Sequence, residues 1–112
     1  KKMAIANATI GLTDTTLLTV PASKTFAITT LLVCNTATYD VSGNNDTSFD
    51  LHIIKSGQAK GAQNQICNNI TVQGADTFTF DTEKIVIDAG DTVVLVSQAP
   101  ANLSATVSYL EV

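Results

Sequence analysis

Lys84-Ile85-Val86-Ile87-Asp88-Ala89-Gly90-Asp91-Thr92-Val93-Val94-Leu95-Val96 places two short β-branched runs on either side of a four-residue Asp-Ala-Gly-Asp turn. β-Branched side chains suit the pleated surface of a strand, and Asp and Gly suit the bend between two strands. Downstream, Ala99-Pro100-Ala101-Asn102 turns the chain into Leu103 to Leu110. There Leu103, Ala105, Val107 and Tyr109 alternate with Ser104, Thr106 and Ser108, the two-residue period of a half-buried strand.

Working outward, the same grammar recurs along the chain. Strands are expected at Ala4 to Leu12, Thr16 to Val20, Thr25 to Asn35, Phe49 to Ile53, Gln65 to Val72 and Thr77 to Phe80, separated by Gly-, Asn- and Asp-rich turns. Within the third, Leu31-Leu32-Val33-Cys34 lacks polar alternation, which suggests cover on both faces: core on one side, a neighbouring subunit on the other. In Phe49-Asp50-Leu51-His52-Ile53 the apolar residues should point inward, leaving Asp50 and His52 outside. Ser56 to Asn64 has neither period and reads as a polar loop or one weak helical turn. Eight to nine strands at about ten-residue spacing predict an all-β, antiparallel β-sandwich, jelly-roll or immunoglobulin-like, formed as a single domain over residues 1–112. The Cys-Trp-Cys signature of immunoglobulin domains is missing, because the chain has no Trp.

One internal echo aligns Val20-Pro21-Ala22-Ser23-Lys24-Thr25-Phe26-Ala27-Ile28 with Ile87-Asp88-Ala89-Gly90-Asp91-Thr92-Val93-Val94-Leu95. Two corners of similar geometry would produce it. So would the general tendency of turns to precede strands.

Composition narrows the function. Six lysines, no arginine and ten acidic residues give a net charge of −4, so no nucleic acid is expected as a partner. No run reaches the ~20 apolar residues that span a bilayer, and no membrane is expected either. The N-terminal Lys1-Lys2-Met3-Ala4-Ile5-Ala6-Asn7 breaks at a polar residue too early for a secretory leader. Cys34 and Cys67 permit one disulfide, but both sit beside apolar residues in strands, which favours buried reduced thiols.

Chemistry finds little to work with. His52 is the only histidine, and pairing it with Cys34 or Cys67 would make a minimal hydrolase, but no nucleophile elbow, metalloprotease motif or phosphate loop accompanies it. Asp76, Asp81, Asp88 and Asp91 lack calcium-loop spacing and serve equally well as turn residues. Sequons at Asn7, Asn45, Asn69 and Asn102 arise readily in a chain rich in Thr and Asn. No catalytic, cofactor-binding or metal-binding residue is therefore expected. A carbohydrate site would need an exposed aromatic, and only Tyr39 beside the Asp40 to Asp46 loop is free of the core.

The strings Thr19-Val20-Pro21-Ala22-Ser23-Lys24-Thr25, Leu32-Val33-Cys34-Asn35, Ile87-Asp88-Ala89-Gly90-Asp91-Thr92-Val93 and Val107-Ser108-Tyr109-Leu110-Glu111-Val112 resemble small virion structural proteins of tailed bacteriophages, of marine and cyanobacterial type. The resemblance implies a non-enzymatic, multi-copy subunit assembled into a virion in the bacterial cytoplasm. Its implied partners are the major capsid protein or other virion subunits, with a homo-oligomer as an option. The leading expectation is a capsid decoration (cement) protein that stabilises the shell through protein contacts, with a tail, neck or fibre-associated subunit as one alternative and a carbohydrate-binding module as the other. Expected contact residues lie in the N-terminal arm (Lys1, Lys2, Met3), the loop with Tyr39, Asn44 and Asn45, and the loop with Gln58, Lys60 and Gln63.

If the alternation in the last strand marks a core face, Val107→Ala costs about 1–3 kcal/mol. Thr106→Ala stays within about 0.5 kcal/mol. Urea unfolding of the two variants distinguishes the faces.

Overall fold

The computed structural model describes residues 2–80 and 85–112. Lys1, Asp81 and Lys84 thus lie outside the described residues. Nine strands are present among the described residues: β1 (Lys2–Thr9), β2 (Thr15–Thr19), β3 (Thr25–Asn35), β4 (Thr47–Ile54), β5 (Gln65–Val72), β6 (Thr77–Phe80), β7 (Ile85–Asp88), β8 (Thr92–Ser97) and β9 (Leu103–Glu111). The only helical element among them is a 3-10 turn at Ala62–Asn64. The first strand starts and stops earlier than its apolar pattern suggested, because Ile10 and Gly11 already belong to the corner that follows.

All pairings are antiparallel. A first sheet runs β1-β9-β3-β6, with β7 also on β3, and a second runs β2-β8-β4-β5. This is the jelly-roll order. The chain behaves as one long ribbon in which β1 lies against β9, β2 against β8, β3 against β6 and β7, and β4 against β5. Rolling the ribbon stacks its halves into two layers, which settles the choice between jelly-roll and immunoglobulin-like sandwiches.

Both arms of the ribbon cross between sheets at the same corners. At one, Ile10 N donates to Leu103 O and Ser97 N to Gly11 O, each at 2.9 Å. At the next, Val20 N donates to Asp91 O at 3.0 Å and Gly90 N to Val20 O at 2.9 Å. The echoing segments 20–28 and 87–95 are these paired crossings, one leaving the second sheet as the other enters it. At the third corner Asn35 N donates to Asp76 O at 2.9 Å. Gly74 lies so close to the Thr38 carbonyl that a Cβ would come within 2.2 Å of it, so a side chain there would force the two arms apart.

The core between the sheets contains Phe49, Leu51, Leu31, Val33, Leu95, Leu103, Ala105 and Val107, all essentially inaccessible. Phe26 stacks on Tyr109 at 4.4 Å between ring centroids, and Phe49 meets Phe78 edge-on at 5.6 Å. Tyr109 is only partly buried, as are Phe78 and Phe80, and all three pack against this core. Val107 is buried and Thr106 half-buried, in line with the alternation. The cysteines are free and lie in different sheets.

One polar residue sits at the heart of the third corner. Asn35, 1% exposed, donates through Nδ2 to Asn45 O at 2.7 Å and Val72 O at 2.9 Å, and its Oδ1 accepts from Ala37 N at 3.0 Å. Those carbonyls have lost water, so the amide is their replacement solvent. Asn35→Leu is nearly isosteric but leaves both carbonyls and the Ala37 amide without this partner. The expected loss is about 2–5 kcal/mol, read from the midpoint of urea unfolding.

Candidate interaction surface

The contact residues expected from the sequence fall, where described, on β1 and on the β3–β4 and β4–β5 loops. Lys2 and Met3 begin the edge strand β1. Tyr39, Asn44 and Asn45 belong to the β3–β4 loop, where Tyr39 is exposed but Asn45 is structural: its Nδ2 donates to Thr38 O and its carbonyl receives Asn35. Asn44 donates its amide to the Asp40 carboxylate, which also receives Ser42.

Gln58, Lys60 and Gln63 sit on the β4–β5 loop. Lys60 Nζ reaches Asp14 Oδ1 at 2.6 Å, ahead of β2, and so ties the loop across the outer side of the second sheet. Asn64, buried, accepts from Gly61 N and donates to Gln58 Oε1 and Ala59 O. These residues hold the loop to its own protein.

This strap corrects the expectation for His52. The side chain does leave the core face, since its neighbour Leu51 is fully buried and its cross-strand partner Val94 lies outside the core cluster. Yet His52 is only 5% exposed, because the returning loop with its 3-10 turn packs on β4. Asp50, also expected outside, is half-buried and accepts from Asn69 N at 2.7 Å.

Neither cysteine meets the histidine. Cys67 faces the core opposite Leu51, and Cys34 is on the other sheet. Burial, with a smaller contribution from the Asp50 charge, pushes the Cys67 thiol above its ordinary value. Asp76 and Asp91 lie in turns, and Asp88 ends β7 where the turn to Asp91 begins. Asp76 receives Thr77 N, Asp88 receives Thr25 Oγ1, and Asp91 receives Ser56 N and Asp88 N. Among the described residues no group of three or more His, Cys, Asp and Glu could hold a metal, and no helix is long and apolar enough to cross a membrane.

The distinctive surface is the outer face of the first sheet. Register aligns its side chains in rows: Met3-Leu110-Ala27-Val86, then Ile5-Ser108-Thr30, then Asn7-Thr106-Leu32-Thr79, then Thr9-Ser104-Cys34-Thr77. None of these residues is charged. At one end lies an apolar row crossing four strands, and beyond it a field of hydroxyls interrupted by Leu32. Leu32 is exposed and Cys34 half-buried, so the second cover anticipated for Leu31 to Cys34 is not provided by the described residues. Composition showed few charges, but only the strand order reveals that, among the described residues, the rows from Met3 to Thr9 carry none.

Ionic groups gather beyond the apolar row. Lys24 Nζ pairs with Glu111 Oε2 at 2.6 Å, and this hydrogen bond holds the Glu111 carboxyl below its usual range. Because the folded pKa is depressed, the pair's contribution to stability is present above the unfolded glutamate value and disappears as pH falls through the folded one. The pair is solvent-exposed and adds little.

Thiol chemistry checks the two faces. Iodoacetamide is expected to modify Cys34 before Cys67, which is core-facing and held protonated, and mass spectrometry after limited labelling reads the order. No protein-family model matches this chain, and neither a curated protein nor a solved structure matches it.

Proposed function

We propose that this chain is a non-enzymatic virion subunit of a tailed bacteriophage, a decoration protein that stabilises the capsid by packing on the major capsid protein in many copies. The observation that carries the reading is the run of rows from Met3 to Thr9 on the outer face of the first sheet, in which no described residue is charged. Hydroxyls and apolar groups lose less on dehydration than ions do, so such a face can be buried against protein with little electrostatic cost. Jelly rolls are a common architecture of viral capsid domains, and the strand order here is compatible with that setting. Many equivalent weak attachments add shell stability by mass action.

Jelly rolls also serve as lectins, but no described residue in the neutral rows is aromatic, and Tyr39 stands in the β3–β4 loop rather than on the sheet. The resemblance in sequence is shared by decoration and by tail, neck or fibre subunits, so the place on the particle is part of the test.

The experiment is re-addition of purified protein to particles stripped of it, followed by reconstruction of the particle. Wild type is expected to occupy repeated capsid sites, and the double variant Leu32→Lys, Thr106→Lys to lose occupancy roughly tenfold or more while melting within a few degrees of wild type. Density on tail or neck instead would move the subunit and keep its structural role. Failure of wild type to bind any particle, or saturable glycan binding abolished by Tyr39→Ala, would overturn the reading.

A further inference from the structure

We propose that the β4–β5 loop is a hinged lid: residues 57–64 swing out as one piece when the contact between Lys60 and Asp14 breaks, uncovering His52 and Val94. The inference concerns the second sheet and stands whether or not the virion reading holds.

The loop is built to hold its own shape. Gln58 N donates to Lys55 O at 2.9 Å, and Asn64 N to Gly61 O at 3.3 Å. The buried Asn64 side chain closes the rest: Oδ1 accepts from Gly61 N at 3.1 Å, while Nδ2 donates to Gln58 Oε1 at 3.3 Å and Ala59 O at 3.0 Å. Both halves of the loop are thus joined around one amide. None of these bonds needs the sheet beneath, so they persist whether the loop lies on it or off it.

Attachment to the sheet is slight by comparison. From residues 57–64 to a described residue outside the loop and its flanking turn, the one hydrogen bond or ion pair is Lys60 Nζ to Asp14 Oδ1 at 2.6 Å. Its side chains are 36% and 53% exposed, and an exposed pair contributes little. Gly57-Gln58-Ala59-Lys60-Gly61-Ala62-Gln63-Asn64 offers no apolar side chain larger than alanine as an anchor, and of the eight only Asn64 is buried. A segment with so few buried apolar contacts opens locally without the rest of the fold. The pivot lies at its start. Ser56 N is fixed on Asp91 Oδ1 at 2.9 Å, and Gly57 beside it sits at φ 86° with open space where a side chain would be.

What lies beneath gives the lid something to govern. To reach Asp14, ahead of β2, the loop crosses β4 and β8. His52 on β4 and Val94 on β8 are cross-strand partners, 5% and 7% exposed, and both lie outside the core cluster. Opening the lid therefore brings the chain's single histidine to solvent while the core stays closed. His52 is at once the gated group and its own reporter.

Diethyl pyrocarbonate, which acylates neutral imidazole, reads the opening in the purified full chain. Mass spectrometry locates the label, and free N-acetylhistidine gives the unshielded rate. Wild-type His52 is expected to react far more slowly than the free compound. Lys60→Met and Asp14→Asn are each expected to raise its rate roughly two- to fivefold, and the double variant no further. Both substituted residues are exposed, and circular dichroism checks that the fold persists. Hydrogen exchange separates a lid from a loop that melts: the amides of Gln58, Gly61 and Asn64 are expected to keep wild-type protection in Lys60→Met. Equal His52 rates in wild type and Lys60→Met overturn the proposal. So do additive effects of the two substitutions, or loss of protection at those three amides.

Discussion

The fold depends on backbone hydrogen bonds that keep two arms of one ribbon together while they turn corners. A jelly roll buries its apolar faces only if both arms change sheets at the same place. Loose arms there would strand amides and carbonyls inside the sandwich, where each unmet group is costly. This chain meets the requirement with main-chain pairs at the first two corners, such as Val20 with Gly90 and Asp91. The third corner has longer and less regular loops, and asparagine side chains take over. Asn35 bridges the Asn45 and Val72 carbonyls, while Asn102 donates to Asn45 O at 3.3 Å and accepts from the Thr47 hydroxyl. The asparagine content thus has a structural use beyond turn formation.

The layering was legible in the sequence to the extent that each strand declares its own faces. Leu103 to Leu110 alternates because one side meets the core, and the same holds for Phe49, Leu51 and Ile53. The echo between residues 20–28 and 87–95 carried more, because two crossings sharing a corner need similar turns. Pairing order lay beyond reach, since alternation fixes which way a side chain points but not which strand lies beside it. His52 shows a second limit. Its outward direction was legible and its burial was not, because the covering loop is held by a Lys60–Asp14 contact between residues far apart in the chain. Residues 58–64 suggested contact with other molecules by their polarity, yet Gln58, Lys60 and Asn64 are engaged with their own chain.

The neutral face likewise depends on information that no single strand holds. Ser104, Thr106 and Ser108 read as ordinary solvent-side residues, and Thr77 and Thr79 do too. Only when β9 lies between β1 and β3, with β6 beyond, do they merge into one uncharged field. Threonine and serine there satisfy two demands at once. They hydrate the sheet when it is alone, and some bond across strands, as Thr29 Oγ1 does to Ser108 at 3.0 Å. They also surrender water more readily than lysine or glutamate would.

Charge is distributed in a complementary way. The described acidic residues lie in turns, beside corners, or on the second sheet and its loops, while the outer face of the first sheet between the Met3 and Thr9 rows has none. The charges of the described residues therefore lie outside these rows, and the excess of acidic groups discourages indiscriminate approach. Contact on the neutral side is then governed by shape and dehydration more than by charge steering, and such contacts respond weakly to salt. The edges differ in the same sense: register shifts interrupt β2 and β5, whereas β1 runs without one along β9 beside the apolar row.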